Sequence, residues 1–205
     1  MSQGQRPGLM NELEVWWIRH GQSTWNIENR WQGHSDIPLS DEGREQALRL
    51  RKALQSTTFD RVFSSDLQRA RQTAQIALPQ HAVVSDSRLR EVHFGEFEGL
   101  TRDEMSEAQR HILKAWLQDP FAQRIPAGES LQDVLERLRG WREELPPRGR
   151  VAVFTHGGVI RCSLWSCRGD EQANPWQMQI ANCSTSCVRY AQENRIERIN
   201  DVAHQ

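Results

Sequence analysis

At 205 residues, 26% charged and 37% hydrophobic, the chain has the composition of a folded globule rather than a disordered one. Its formal net charge of −1 argues against a general affinity for nucleic acid or for anionic membrane surfaces. No apolar run approaches membrane-spanning length and MSQGQRPGLM lacks a basic-then-apolar signal pattern, so a cytoplasmic protein is expected.

Residues 1–205 read as a single domain without an internal linker, repeat or low-complexity stretch, with about the first twelve residues flexible. The apolar run Val15-Trp16-Trp17-Ile18 is a short buried strand, cut off abruptly by Arg19-His20-Gly21. A polar loop follows from Ile27 to Pro38, and it contains Gln32-Gly33-His34. Ser40 is a candidate N-cap, with Asp41 and Glu42 in the first turn and Ala47, Leu50 and Leu54 as the inward stripe. Phe59 to Ser64 reads as a second strand, Asp66 to Ala77 as a helix and Ala82-Val83-Val84 as a brief third strand. The glycine-spaced LREVHFGEFEGL, within Arg88 to Leu100, belongs in a loop over the sheet edge.

Asp103 to Leu117 is predicted helical and ends at Asp119-Pro120. The strongest helical pattern is Leu131, Val134, Leu135, Leu138, Trp141 and Leu145, capped by Ser130 and stopped by Pro146-Pro147. Val151 to Thr155 is another buried strand, ended by His156-Gly157-Gly158, with a helix from about Val159 to Cys167. Ser184 to Ala191 and Arg195 to Asn200 are late strands, paired as a hairpin about Glu193-Asn194. Cys162, Cys167, Cys183 and Cys187 form no CxxC pair and read as reduced thiols, with no disulfide and no zinc. Strands alternating with helices argue for an α/β three-layer sandwich with a mainly parallel central sheet.

That topology gives isolated residues a collective meaning. Arg19-His20-Gly21, Ser64-Ser65-Asp66 with Arg69, and Thr155-His156-Gly157-Gly158 each follow a strand. Taken singly, each is an ordinary solvated strand end. If the three strands are parallel, two arginines and two histidines meet in one crevice beyond their carboxyl ends, where open α/β sheets bind ligands. Guanidinium groups beside loose, glycine-bearing turns suit a phosphoryl group; a carboxylate ligand explains the second histidine less well.

RHGQSTWN, SSDLQRARQTA, LREVHFGEFEGL and FTHGG together resemble, in order, the signature segments of the histidine phosphatase superfamily, which includes the cofactor-dependent phosphoglycerate mutases. The resemblance runs from about Val15 to beyond Arg161 and implies the phosphoglycerate mutase-like sandwich. It also implies that His20 is transiently phosphorylated, that Arg19, Arg69 and His156 hold the phosphoryl oxygens, and that Glu91 donates the proton. Asn26, Ser23, Gly33 and Gly157 fall at or beside positions that line such a pocket. Gln22 departs from the pattern, standing where the family often has an acid.

The chemistry of these roles sets further expectations. A nucleophilic imidazole must be neutral, with its other nitrogen donating to a fixed acceptor such as a backbone carbonyl, and nearby arginines depress its pKa. By composition alone Asp66, Glu96 and Glu98 rival Glu91; His34 and His93 read as structural or substrate-contacting, and His81, His111 and His204 as surface residues. Neither a metal nor a cofactor is expected, because two arginines would repel a cation and no HExxH-type spacing exists.

Mutases of this family resemble one another in a long arginine- and proline-rich segment that encloses the substrate. Here residues 101–128 form only a short cap, with Arg102, Arg110, Lys114 and Arg124 scattered and with Trp116 and Phe121 as candidate apolar contacts, core packing being the preferred role for Trp116. The expected activity is therefore a metal-independent phosphatase of the superfamily's short branch, acting on a small phosphorylated metabolite. A phosphoglycerate mutase, an α-ribazole phosphatase and a non-enzymatic phospho-ligand binder are the alternatives, and a homodimer is compatible with the chain.

Overall fold

The computed structural model describes residues 12–169 and 174–205; the N-terminal stretch expected to be flexible lies largely outside them. Six strands form one sheet in the order β3-β2-β4-β1-β5-β6. They are β1 (Leu13–Arg19), β2 (Arg61–Ser64), β3 (Val83–Ser85), β4 (Gly149–Thr155), β5 (Thr185–Tyr190) and β6 (Arg195–Asp201). The first four are parallel, while β5 runs antiparallel to its neighbours β1 and β6, as the late hairpin required. Because β1 is hydrogen-bonded on both edges, by β4 and by β5, its apolar run is central to the sheet.

Alternation along the central strands serves two separate cores. Val15 and Trp17 of β1 and Val151 and Val153 of β4 pack with α5 (Leu131–Glu143) and α6 (Gly157–Arg168). Ile18, Ala152 and Phe154 point the other way, against α2 (Asp41–Leu54) and α3 (Gln68–Ala77). The sheet is thus covered on both faces, which explains its continuous apolar runs. Ser40 and Ser130 cap α2 and α5 through their side chains, and Ala47, Leu50 and Leu54 are buried as the stripe predicts.

Helix starts differ from expectation where a side chain has other employment. The helix predicted from Asp66 begins at Gln68, because Leu67 is extended and the Asp66 carboxylate is paired with Arg90 at 2.5 and 2.8 Å. The helix predicted from Asp103 is α4 (Glu107–Gln118), started by a reciprocal Ser106–Gln109 capping box that outcompetes the earlier aspartate. Trp116 is fully buried in the core, and Phe121 stacks on Trp165 with ring centroids 4.3 Å apart. Neither lines the cleft described below, so the cap offers no aromatic contact there through these two residues.

Candidate active site

Parallel β1, β2 and β4 bring the three sequence clusters to one edge of the sheet. The turn after β1 is fixed by backbone and side chain alike. His20 N donates to Thr155 O at 2.9 Å, and Gly21 N donates to Thr73 Oγ1 at 3.0 Å on α3. Gly21 lies against α2 so closely that an added Cβ would stand 2.4 Å from Gly43 O. Backbone occupies the space of a side chain, so glycine is required by close approach at this position.

His20 is buried, and its Nδ1 lies 2.7 Å from Gly21 O. A carbonyl can only accept, so Nδ1 carries the hydrogen and Nε2 presents its lone pair. Its pKa is held well below the ordinary histidine value, chiefly by burial and then by Arg69 and Arg19. The arginines contribute as expected, but desolvation is the larger cause. The His156 ring stands 5.1 Å from the His20 ring, centroid to centroid, and is likewise kept neutral by burial and by Arg69.

The cationic wall is pre-aimed by backbone carbonyls. Arg69 is fully buried and donates through Nη1 to Ser35 O and through Nη2 to Gly33 O. Arg19 donates through Nη1 to Ile180 O at 2.6 Å. Burial lowers both guanidinium pKa values to about 10, which leaves them charged at neutral pH. Among the described residues, four buried nitrogens here have no protein partner: Arg19 Nε, Arg69 Nε and both ring nitrogens of His156. Unpaired buried polar groups are costly, and an oxyanion accepting from the two arginine Nε–H groups and the single N–H of neutral His156 offsets that cost.

Glu91 lines the same cleft on a stretch without regular secondary structure. Its Oε1 accepts from Val92 N at 3.0 Å and Gly158 N at 2.9 Å, while Oε2 keeps only a longer 3.3 Å contact to Gly158 N. The rival carboxylates are otherwise engaged or elsewhere. Asp66 holds Arg90; Glu98 accepts from the amides of His34, Ser35 and Phe94; Glu96 is exposed outside the cleft. The His156-Gly157-Gly158 group, expected as a loosened turn, is instead the N-cap and first residues of α6. A Cβ on Gly158 would meet Glu91 Oε1 at 2.4 Å, so its lack of a side chain makes room for the acid.

Of the expected lining residues, Asn26, Gly33 and Gly157 border the cleft. Ser23 does not: it is fully buried, caps α1 (Thr24–Ile27) and donates from Oγ to Gln32 Oε1 at 2.8 Å, so it supports the wall from behind. Gln22 turns toward α2, its amide oxygen accepting from Ser40 Oγ, so its departure from the expected acid does not alter the cleft. Sequence reasoning passed over Arg161, Trp25, Trp31 and Trp176, which also border it. Arg161 donates through Nε to Met178 O and stacks 4.8 Å over Trp176. Its signal was its place one helical turn after His156-Gly157. Trp176 arrives from a distant segment and had none.

Buried donors, a neutral imidazole and one carboxyl across a cleft of about 290 Å³ suit transfer of a phosphoryl group. Comparison with known proteins agrees. "Probable phosphoglycerate mutase GpmB" of Cronobacter sakazakii is 32% identical over 203 residues, 94% of each chain. The mycobacterial glucosyl-3-phosphoglycerate phosphatase, solved with VO3, superposes with a TM-score of 0.82 at 30% identity, over 91% of this chain and 98% of that one. The α-ribazole phosphatase of Shigella flexneri gives a TM-score of 0.78 at 25% identity, over 92% and 96%. Residues 15–202 match the histidine phosphatase superfamily (branch 1), and the chain belongs to that superfamily.

Proposed function

We propose that the protein is a metal-independent phosphatase that hydrolyses small phosphomonoesters through a phosphohistidine at His20. The observation that carries this reading is the buried, neutral His20, its Nδ1 committed to Gly21 O, with Arg69 and Arg19 among its charged neighbours. In the proposed first step Nε2 bonds to phosphorus, the ester P–O bond breaks, and the Glu91 proton goes to the leaving oxygen. In the second, water attacks phosphorus, its proton returns to Glu91, and the P–N bond breaks to free His20. Arg19, Arg69 and His156 take the equatorial oxygens, where charge concentrates during transfer. The binder alternative is disfavoured because nucleophile, donors and acid are all retained. Rapid quench in alkaline detergent during turnover of a phosphorus-labelled ester should leave label on the protein that survives base and is released by acid, absent in His20→Ala. Label trapped on a serine or cysteine overturns the proposal.

The short 101–128 segment supports water over a second substrate hydroxyl as the acceptor. Its only helix is α4, and Arg30, near its base, is already paired with Glu28 and Glu104. The mutase reading draws on the name of the 32% identical relative; the short cap weighs against it. Names of similar phosphatases suggest a phosphorylated metabolite of modest size, and the cleft volume accommodates one.

A further inference from the structure

The backbone of Glu91 is held by groups that do not themselves line the cleft. Arg137, midway along α5, donates from Nη2 to Glu91 O at 3.0 Å and from Nη1 to Arg88 O at 2.5 Å. Its orientation is set by Glu129, whose two oxygens accept from Nε at 2.9 Å and Nη2 at 3.1 Å. The same Glu129 carboxylate accepts from His93 N at 2.9 Å, so it grips the loop on the other side of Glu91. His34 Nε2 is the second group on Glu91 O, at 2.9 Å; facing a carbonyl, it must be the donor. One carbonyl thus receives two side-chain donors from opposite parts of the chain.

This degree of restraint has a physical reason. Residues 90–94 lie between the 3₁₀ turns Ser87–Leu89 and Gly95–Phe97 and have no helix or ladder to fix them. A proton donor must nevertheless sit within hydrogen-bond reach of the leaving oxygen, and misplacement by about 1 Å can cost ~10²-fold in rate. A bidentate arginine–carboxylate pair, with side chains only 16% and 19% exposed, is rigid in a way that a loop is not.

We infer that Arg137, with Glu129 and His34, is a positioning unit that sets the Glu91 carboxyl against the leaving-group oxygen. The inference rests on the reading of Glu91 as proton donor. It predicts a loss that tracks how much protonation the leaving group needs. The test compares kcat/KM for an alkyl ester, β-glycerophosphate, with that for p-nitrophenyl phosphate, in Glu91→Gln, Arg137→Met, Glu129→Gln and the Glu91→Gln/Arg137→Met double variant. For both esters kcat/KM reports steps only up to departure of the leaving group, so later water attack does not blur the comparison.

Arg137→Met should lower the alkyl value by ~10²-fold and the aryl value by no more than a few-fold. On the Glu91→Gln background it should cost almost nothing further, because the group it positions is gone. Equal losses on both esters, or a fully additive double variant, overturn the inference and assign Arg137 a structural role. If Arg137→Met fails to fold, Glu129→Gln carries the same comparison with a split of about 10-fold, and a fall in Tm without any split overturns the inference equally. Should Glu91→Gln itself lower both esters alike, the proton-donor reading fails first and the positioning role falls with it.

Discussion

Glu91→Gln removes the proton that the proposed mechanism transfers yet leaves a side-chain oxygen able to accept from Gly158 N, so it tests chemistry more than architecture. General acid–base contributions are typically ~10²–10⁴-fold, and alkyl phosphate turnover should fall within that range. Aryl phosphates, whose leaving groups need little protonation, should lose less; a uniform loss would return attention to other roles for the loop. The buried histidines make a second prediction, about stability. His20 and His156 are held well below their ordinary pKa, while in the unfolded chain both protonate near pH ~6.5. Between those limits the unfolded state binds more protons, so stability rises with pH and is lost as pH falls below about 6.5. Each histidine contributes a slope approaching about 1.4 kcal/mol per pH unit in that window. Urea midpoints at pH 7 and pH 5 should differ accordingly, and His156→Gln should flatten the difference. No pH dependence in wild type would show that burial is relieved in solution.

The site turn depends on how closely α2 packs against it. A Cβ added to Gly43 would stand 2.0 Å from Gln22 O, a backbone atom that cannot swing aside. Gly43→Ala should therefore push the His20 turn and α2 apart, costing about 1–3 kcal/mol as overpacking does. Thermal unfolding and turnover should both fall, and turnover unchanged by a stable Gly43→Ala variant would mean that the turn is not braced by α2. Elements were readable from sequence where one local signal had no competitor. Ser40 and Ser130 each precede an apolar helical stripe, and both are caps. At Asp66 and Asp103 an aspartate suited a helix start equally well on sequence grounds. Pairing with Arg90 claimed the first, and the Ser106–Gln109 box set the start beyond the second. Only that second competitor was visible locally, as a serine three residues ahead of a glutamine.

At the scale of the whole molecule, the phosphoryl acceptor separates the proposed phosphatase from a mutase. A mutase must hold its bisphosphorylated intermediate while it reorients and must exclude water meanwhile. With 3-phosphoglycerate and catalytic 2,3-bisphosphoglycerate, phosphate release should outrun interconversion with 2-phosphoglycerate. Interconversion faster by orders of magnitude would make the protein a mutase and leave the His20 chemistry intact. Turnover should also survive exhaustive dialysis against chelator, since Arg19, Arg69 and Arg161 line one cleft, where their charges would offset that of a phosphate ester and repel a divalent cation. Activity lost to chelator and restored by one metal would refute this.

Strand identity, the sheet's parallel character and the convergence of His20, Arg69 and His156 were determined by sequence, because apolar runs ending in polar turns are local and the parallel layout follows from alternation. Glu91 was separable from Asp66, Glu96 and Glu98 in the sequence only by resemblance. Tertiary structure sets the four apart in placement: Asp66 meets Arg90, Glu98 staples three amides, and Glu91 alone of the four borders the cleft. The same holds for Ser23, withdrawn into the wall, and for Trp176, delivered to the rim by a segment 156 residues from His20. Exposure, orientation and long-range pairing depend on which distant groups arrive at a point, and no local pattern encodes that arrival.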